Sequence, residues 1–304
     1  MTETTPAAMD RTEQLAARYT AAQVLARQRR REFVRGLCKK AVCIAMVCVT
    51  LIPFYISFIY SIKYKNEITI SHLAWPKTPT LSNYIRVITE NEQFLVGIKN
   101  SVLTTIPTIL LLMIICSMAS WVLARNETPF YNFLYVLLTM GTLIPFQCIM
   151  LPLYLNMFNV GLVSTNVGFV IARSGLQVSI SILVITSFVK TVPREMEEAA
   201  VIDGCGKLQT FWRIVFPLLK PINATQLVLN TVYVWNDYNT AVVLLRDKAS
   251  RTLPLAQIVY FNENTSELNL AFAFFIMAML PILILYFCLQ KYVVSGVMSG
   301  AVKG

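Results

Sequence analysis

Six long apolar runs divide this sequence and constrain its fold more than any other feature. A helix needs about 20 apolar residues, at about 1.5 Å per residue, to cross the hydrocarbon core of a bilayer. Five runs reach that length, and the fourth does so only if it begins near Val167, which brings Arg173 into the span. We therefore predict an all-α, polytopic membrane protein with six transmembrane helices. The runs cover residues 41–62, 102–124, 133–158, 176–189, 222–245 and 271–289.

Composition and charge agree with a membrane location. The chain is 56% hydrophobic and 14% charged, whereas a soluble domain carries about 25% charged residues. Nine of the 26 Lys and Arg residues lie in the first 40 positions. If the N-terminus is inside, cytoplasmic segments hold 17 basic residues and external segments hold 8. Because Lys and Arg concentrate in cytoplasmic segments, both termini are predicted to be cytoplasmic, and the basic residues indicate contact with the lipid bilayer and no nucleic acid.

The same pattern predicts the organisation of the chain. We expect a basic cytoplasmic tail over residues 1–40, a six-span domain over residues 41–292, and a cytoplasmic tail over residues 293–304. Seven cysteines without a CxxC pair and a single histidine give no metal-ligand pattern. No cluster of His, Asp and Glu residues falls in or near the spans, so no metal site and no catalytic residue is predicted.

A charged stretch at residues 193–221 interrupts the apolar pattern before the fifth run. Pro193 suits a first helical position, acidic residues fill the following turns as the helix dipole favours, and Gly204 suits the helix end. A second helix would then place Leu208, Phe211, Trp212 and Val215 on one apolar face. The local pattern leaves two interpretations open: a capped, solvated surface helix, or a docking site for a cytoplasmic partner.

The spacing in this stretch resembles a family signature. Glu198, Ala199 and Ala200 are followed after three residues by Gly204, and after nine more by Ile214 and then Pro217. This resembles the EAA loop of ABC importer permeases, EAA-x3-G-x9-I-x-LP, with Phe216 in place of the usual Leu. The stretches FLVGIKNSVLTT, VWNDYNTAVVLL, RTLPLAQIVYF and KYVVSGVMSGAVKG are similar to the carbohydrate-uptake, maltose-type branch of these permeases.

The resemblance implies a membrane-spanning permease subunit of an ATP-driven, binding-protein-dependent sugar importer in the cell membrane of a prokaryote. Its partners would be a second, non-identical permease, two ATPase subunits and an extracytoplasmic sugar-binding protein, and the substrate would be an oligosaccharide. Glu198 would carry the polar contact to the ATPase, with Ala199 and Ala200 allowing close approach and Gly204 forming the turn. The implied coupling residues are Glu195, Glu198, Ala199, Ala200, Asp203, Gly204, Ile214 and Pro217.

The resemblance also implies that this chain binds no cofactor, since ATP and Mg²⁺ are used by the partner ATPase. Gly206-Lys207 resembles part of a phosphate loop, but Leu208 stands where Ser or Thr is required. A sugar-phosphate importer subunit of the same family is one alternative. An ion-coupled secondary carrier and a membrane-embedded enzyme are others, and neither explains residues 193–221.

Polar residues within the spans are candidates for the translocation path. A charge at membrane depth is costly and usually faces a cavity or a partner, so Asp237 is the leading candidate. The alternative is a polar helix–helix contact that fixes packing. Arg173 either lies in an external segment or faces Asp237 across a cavity, and the sequence leaves this open. The candidate path residues are Trp235, Asn236, Asp237, Tyr238, Asn156 and Asn159.

Overall fold

The computed structural model describes the backbone of residues 6–262 and 265–301, and the side chains of residues 32–260, 267–288 and 290. The predicted tail of residues 293–304 lies outside the described side chains, and its last three residues lie outside the described backbone. The helices are α1 (Pro6–Ser61), α2 (Lys65–Ile70), α3 (Ser82–Glu90), α4 (Glu92–Arg125), α5 (Pro129–Met140), α6 (Phe146–Asn159), α7 (Asn166–Val189), α8 (Glu195–Ile202), α9 (Lys207–Thr210), α10 (Phe216–Leu218), α11 (Lys220–Trp235), α12 (Asn239–Leu244), α13 (Leu253–Ala256) and α14 (Leu268–Ala301).

Shorter elements complete the described backbone. Three 3₁₀ turns cover Gly141–Leu143, Lys248–Ser250 and Gln257–Tyr260, and a π-helical segment covers Phe211–Val215. Strands β1 (Phe261–Asn262) and β2 (Thr265–Ser266) pair antiparallel, with Phe261 opposite Ser266. The fold is therefore helical apart from one two-residue pairing.

Four helices in the described part of the chain are long and apolar enough to cross a membrane. They are Glu32–Ser61, Glu92–Arg125, Asn166–Val189 and Leu268–Cys288, and a bent pair of helices, Pro129–Leu143 with Phe146–Asn159, makes a fifth if it counts as one span. The predicted upstream start of the fourth span is confirmed, because α7 begins at Asn166 and contains Arg173.

Two of the six predicted runs are broken. The third run was expected to be one helix, but its two halves meet at an angle of 104°. Ile144 and Pro145 lie between them in extended conformations, because the residue before a proline disfavours the α region. The fifth run divides into α11 and α12, with residues 236–238 between them. Asn and Asp favour helix ends because their side chains compete for backbone hydrogen bonds.

The chain forms two compact units, Met1–Ile56 and Ser57–Gly304. In the first, the described side chains of α1 are largely exposed, and those beyond Lys40 are mostly apolar, as suits contact with lipid. In the second, α4 packs along α7, and α11 packs against both α4 and α14. Every candidate site below lies within the second unit.

A polar seam joins α7 and α11. The Asn230 amide accepts a hydrogen bond from Gln177 Nε2 at 2.9 Å and contacts Ser181 Oγ at 3.3 Å. Further along, Ser117 Oγ of α4 lies 3.1 Å from Asn223 Oδ1 of α11. Inter-helical hydrogen bonds stabilise membrane bundles that lack a hydrophobic driving force between helices. The seam therefore fixes how α11 sits against its neighbours.

The two long connections, residues 62–81 and 245–267, are tied to the helices by amide side chains. Asn83 Nδ2 donates to the carbonyls of Ser61 and Lys63 at 2.9 and 2.8 Å. Asn100 Nδ2 donates to Ala249 O at 2.8 Å. Asn91 Nδ2 donates to the Tyr260 hydroxyl at 2.8 Å, and burial raises the pKa of Tyr260 above its ordinary value. These bonds hold residues 62–63 and 249–260 against the helices of the second unit.

Candidate functional site

The charged loop before α11 begins with a short, well-terminated helix, α8. Its C-terminal end is a Schellman motif, in which Cys205 N–H donates to Ala200 O at 2.9 Å and Gly204 N–H donates to Val201 O at 3.0 Å. Gly204 has φ of +84°, a left-handed conformation that glycine adopts without steric cost. The helix starts at Glu195, two residues after Pro193 and therefore later than predicted.

One face of α8 is fixed to the end of α4 by Glu197. Its Oε1 lies 2.7 Å from Arg125 Nη2, and its Oε2 accepts from Trp121 Nε1 at 2.8 Å. Arg125 Nη2 also donates to Val192 O at 2.9 Å. Both charged side chains are only 13% exposed, so the pair is shielded from water. This contact clamps α8 onto the transmembrane core.

The opposite face of α8 is free. Glu195, Glu198, Ala199 and Ile202 follow the i, i+3, i+4, i+7 spacing of one helical face, and all are exposed. Ile202 is 86% exposed. Among the described contacts, nothing pairs with the carboxylates of Glu195, Glu198 or Asp203. We call this surface, with the exposed Val201 beside it, the coupling face.

The alanine pair divides between the two faces. Ala200 is 5% exposed and packs inward, whereas Ala199 is exposed on the coupling face. The two residues therefore have different surroundings, although the signature treats them alike. Ile214 is half-buried and Pro217 is exposed, and both lie in the second part of the loop.

The second part of the loop does not present one apolar face. Phe211 and Val215 are each 1% exposed and belong to the core with α4 and α7. Leu208 and Trp212 are exposed, which differs from the predicted common face. Phe211 and Val215 are four residues apart, as are Leu208 and Trp212, so each pair shares one side of the helix. Only the side with Phe211 and Val215 faces the core.

The second candidate site lies at the break between α11 and α12. Arg173 Nε of α7 lies 2.9 Å from Asp237 Oδ2, and the two side chains are 11% and 8% exposed. Arg173 Nη2 also contacts Tyr233 O at 3.5 Å. Asp237 Oδ1 accepts from Thr240 N–H at 2.9 Å in the first turn of α12. Arg173 therefore lies within α7, a candidate membrane span, and faces Asp237.

A cavity of about 540 Å³ opens beside this ion pair. Its walls come from the bend between α5 and α6, from α7, and from the two sides of the helix break. Gly141 allows the bend to approach α7, because a Cβ atom there would collide with the Ser179 hydroxyl. The lining residues that carry polar or charged groups relevant to binding are Thr142, Arg173, Gln177, Tyr233, Asp237 and Asn239.

Of the six candidate path residues, only Asp237 lines this cavity. Trp235 is 7% exposed and donates from Nε1 to Ala278 O at 3.1 Å, so it packs against α14. Asn236 and Tyr238 are exposed at the break. Asn156 and Asn159 are exposed near the end of α6. Sequence reasoning did not single out Gln177 or Tyr233, which the topology brings to Asp237 from separate positions along the chain.

The far end of α12 is also held in place. Ser164 has φ of +58°, and its N–H donates to Leu244 O at 2.7 Å. Its hydroxyl accepts from the N–H groups of Arg246 and Asp247 at 3.2 Å each. A non-glycine residue in this region of φ is uncommon and costs energy that its surroundings must offset. Helix α12 is therefore anchored at both ends to the residues around α7.

These features define a class: a helical membrane protein with a clamped polar loop whose outer face is unpaired, and a broken helix beside a polar cavity. Residues 117–299 match the family described as binding-protein-dependent transport system inner membrane component. The chain belongs to this family, and the family resemblance noted in the sequence is confirmed.

Named relatives align along most of the chain. It is 36% identical to the melibiose/raffinose/stachyose import permease protein MelC of Bacillus subtilis (strain 168), over 85% of this chain and 94% of MelC. It is 34% identical to the probable starch degradation products transport system permease protein AmyC of Thermoanaerobacterium thermosulfurigenes, over 83% of this chain and 91% of AmyC.

A solved structure shares the fold. One chain of a bacterial ABC transporter involved in the import of the acidic polysaccharide alginate aligns with a TM-score of 0.75 at 23% sequence identity. The alignment covers 85% of this chain and 96% of that chain. At this identity the similarity establishes the permease fold. It does not identify the substrate of this chain.

Proposed function

We propose that this chain is a membrane-spanning permease subunit of an ATP-driven, binding-protein-dependent oligosaccharide importer. Membership of the family supports the transport role. The oligosaccharide assignment draws on relatives such as MelC and AmyC, whose names refer to melibiose, raffinose and stachyose and to starch degradation products. The chain would form half of the translocation path and transmit the closure of the ATPases through the loop at residues 193–221.

The observation that carries this proposal is the two-sided environment of α8. Glu197 clamps one face to Arg125 and Trp121, so that force on α8 reaches α4 directly. The coupling face presents unpaired carboxylates beside exposed Ile202. Apolar side chains surrounded by unpaired charge are typical of surfaces that bind a protein partner. We infer that the partner is an ATPase subunit, with Glu198 making the polar contact.

The remaining parts of the proposal follow from this role. The complex would contain a second, non-identical permease, two ATPase subunits and an extracytoplasmic sugar-binding protein. Six spans would be completed by counting α5 with α6, and α11 with α12, as one broken span each. Both termini and α8 would then lie in the cytoplasm, and ATP and Mg²⁺ would act in the ATPase subunits.

The cavity at the helix break would form part of the path. Broken membrane helices commonly line substrate routes, where unpaired backbone groups face a cavity. The sugar-phosphate alternative is not favoured, because Arg173 is compensated by Asp237 and is the only cation lining the cavity among the described residues. An ion-coupled carrier is not favoured either, because such a carrier has no ATPase subunit to dock at the coupling face.

The test is purification of the tagged protein in mild detergent, with every accompanying chain identified by mass spectrometry. We expect a second permease and an ATPase. Glu198→Arg should still insert in the membrane but lose the ATPase, since a reversed charge in an interface brings like charges together and disfavours the partner. Glu92→Arg, an exposed glutamate at the other end of α4, is the matched control. Retention of the ATPase by the Glu198→Arg variant would refute the docking role.

A further inference from the structure

The ion pair at the helix break matches each charge to a helix end. Tyr233 O lies in the last turn of α11, where unpaired carbonyls carry partial negative charge, and Arg173 contacts it. Thr240 N–H lies in the first turn of α12, where the partial charge is positive, and Asp237 accepts from it. The two charges therefore neutralise each other. Each also contacts a backbone group at the break, Tyr233 O or Thr240 N–H.

The two charges face each other and not the open volume of the cavity. Arg173 Nε and Asp237 Oδ2 lie 2.9 Å apart, and both atoms are buried. A bound sugar therefore meets the pair as a compensated unit and not as a free charge.

The rest of the cavity fits an uncharged sugar. Arg173 and Asp237 are its only charged lining residues within the described chain, so the lining carries no net charge. Thr142 and Asn239 add uncharged polar groups, and Tyr233 adds an aromatic side chain. An acidic sugar would compete with Asp237 for Arg173 and leave a buried carboxylate unpaired, which is strongly unfavourable.

We propose that this cavity binds an uncharged oligosaccharide and rejects an acidic one, because Arg173 and Asp237 compensate each other in its wall. The inference rests on the proposed function and names the substrate class at the path. It assigns Arg173 and Asp237 as residues that determine specificity by keeping the site electrically neutral.

The test measures the preference of the cavity itself. The complex that co-purifies with the tagged chain is placed in nanodiscs without binding protein or nucleotide. Equilibrium dialysis then compares labelled raffinose, a neutral trisaccharide, with trigalacturonate, an acidic one of equal length. We expect the wild type to bind raffinose at least about tenfold more tightly, a difference of about 1.4 kcal/mol.

Two variants make the net charge of the cavity lining more positive. Asp237→Asn leaves Arg173 uncompensated while keeping an oxygen for the Thr240 cap, and should shift the preference toward trigalacturonate by about tenfold or more. Asn239→Arg adds a cation without touching the pair, and its exposed side chain has no partner among the described contacts. It should shift the preference the same way even if the Asp237 variant fails to fold. Asn159→Arg, at an exposed residue that does not line the cavity, is the matched control and should leave the preference unchanged.

The outcomes separate this inference from the proposed function. Equal binding of both sugars, binding of neither by the wild type, or an unchanged preference in folded Asn239→Arg would overturn the inference. In each case an ATPase and a second permease would still co-purify. Absence of those chains would instead overturn the proposed function.

Discussion

The coupling face and the helix break place acidic side chains in opposite environments. At the break, Asp237 is 8% exposed and paired with Arg173. On the coupling face, Glu195 and Glu198 are exposed and unpaired within the described chain, as is Asp203 at the end of α8. A charge satisfied inside the chain fixes local geometry, whereas a free one is available to another molecule. Under the proposed function, the difference separates residues that hold the permease together from residues that are available to its partners.

The same contrast occurs between two adjacent residues of α8. Glu197 is shielded and bound to Arg125 and Trp121, while Glu198 points to the coupling face. Because successive helical residues point about 100° apart, one short helix can be both anchored and available. Under the proposed function, the contact of Glu197 with α4 transmits the movement of a docked partner from α8 to α4.

The largest expected effect comes from the buried pair. Asp237→Ala removes both the partner of Arg173 and the cap of α12, and should lower the free energy of unfolding by about 3–5 kcal/mol. Unfolding in mixed SDS and mild-detergent micelles measures the change. Asp203→Ala, an exposed and unpaired aspartate, should have little effect. If the two variants are equally stable, the pair at the break contributes nothing to the fold.

A smaller effect is expected at the ion pair that joins α8 to α4. Glu197→Ala leaves Arg125 and Trp121 without their acceptor and should cost about 2 kcal/mol. Glu198→Ala should leave stability unchanged while weakening ATPase association. Unfolding titrations and co-purification of both variants measure the two quantities separately. Equal loss of stability in both would contradict the two-sided description of α8.

The smallest expected effect concerns the turn after α8. Gly204→Ala forces a side chain into φ of +84° and should cost about 1–2 kcal/mol. Gly206→Ala is the matched control, since its φ of −72° suits any residue and a Cβ atom would meet nothing within 4 Å. Unfolding of the two variants under the same conditions compares them. A cost at Gly206 as large as at Gly204 would show that the left-handed turn is not the reason for the glycine.

Much of the fold could be predicted from hydropathy and spacing. The long apolar helices, the upstream start of α7 and the left-handed Gly204 follow from local rules that act within one or two turns. The breaks in the third and fifth runs were missed, because an apolar run shows length and not continuity. Pro145 and Asp237 were visible in the sequence, but their effect depends on the helices that surround them.

The candidate site was only partly predictable for the same reason. The spacing of Glu198 and Gly204 identified the loop, but no local pattern distinguishes Glu197 from Glu198. Only the position of Arg125 at the end of α4 decides which glutamate is clamped. The cavity likewise joins Thr142, Arg173 and Asp237 across about a hundred residues of sequence, a relation that a single sequence does not encode locally.

The most direct test of the central claim is a site-specific photocrosslink from the coupling face. A benzoylphenylalanine at Ile202, which is 86% exposed, is compared with one at Ile70, which is 84% exposed in α2. After irradiation of the purified complex, mass spectrometry identifies the linked chains. We expect position 202 to link to the ATPase and position 70 not to link to it. An ATPase that is present in the complex but never links to position 202 would contradict this expectation.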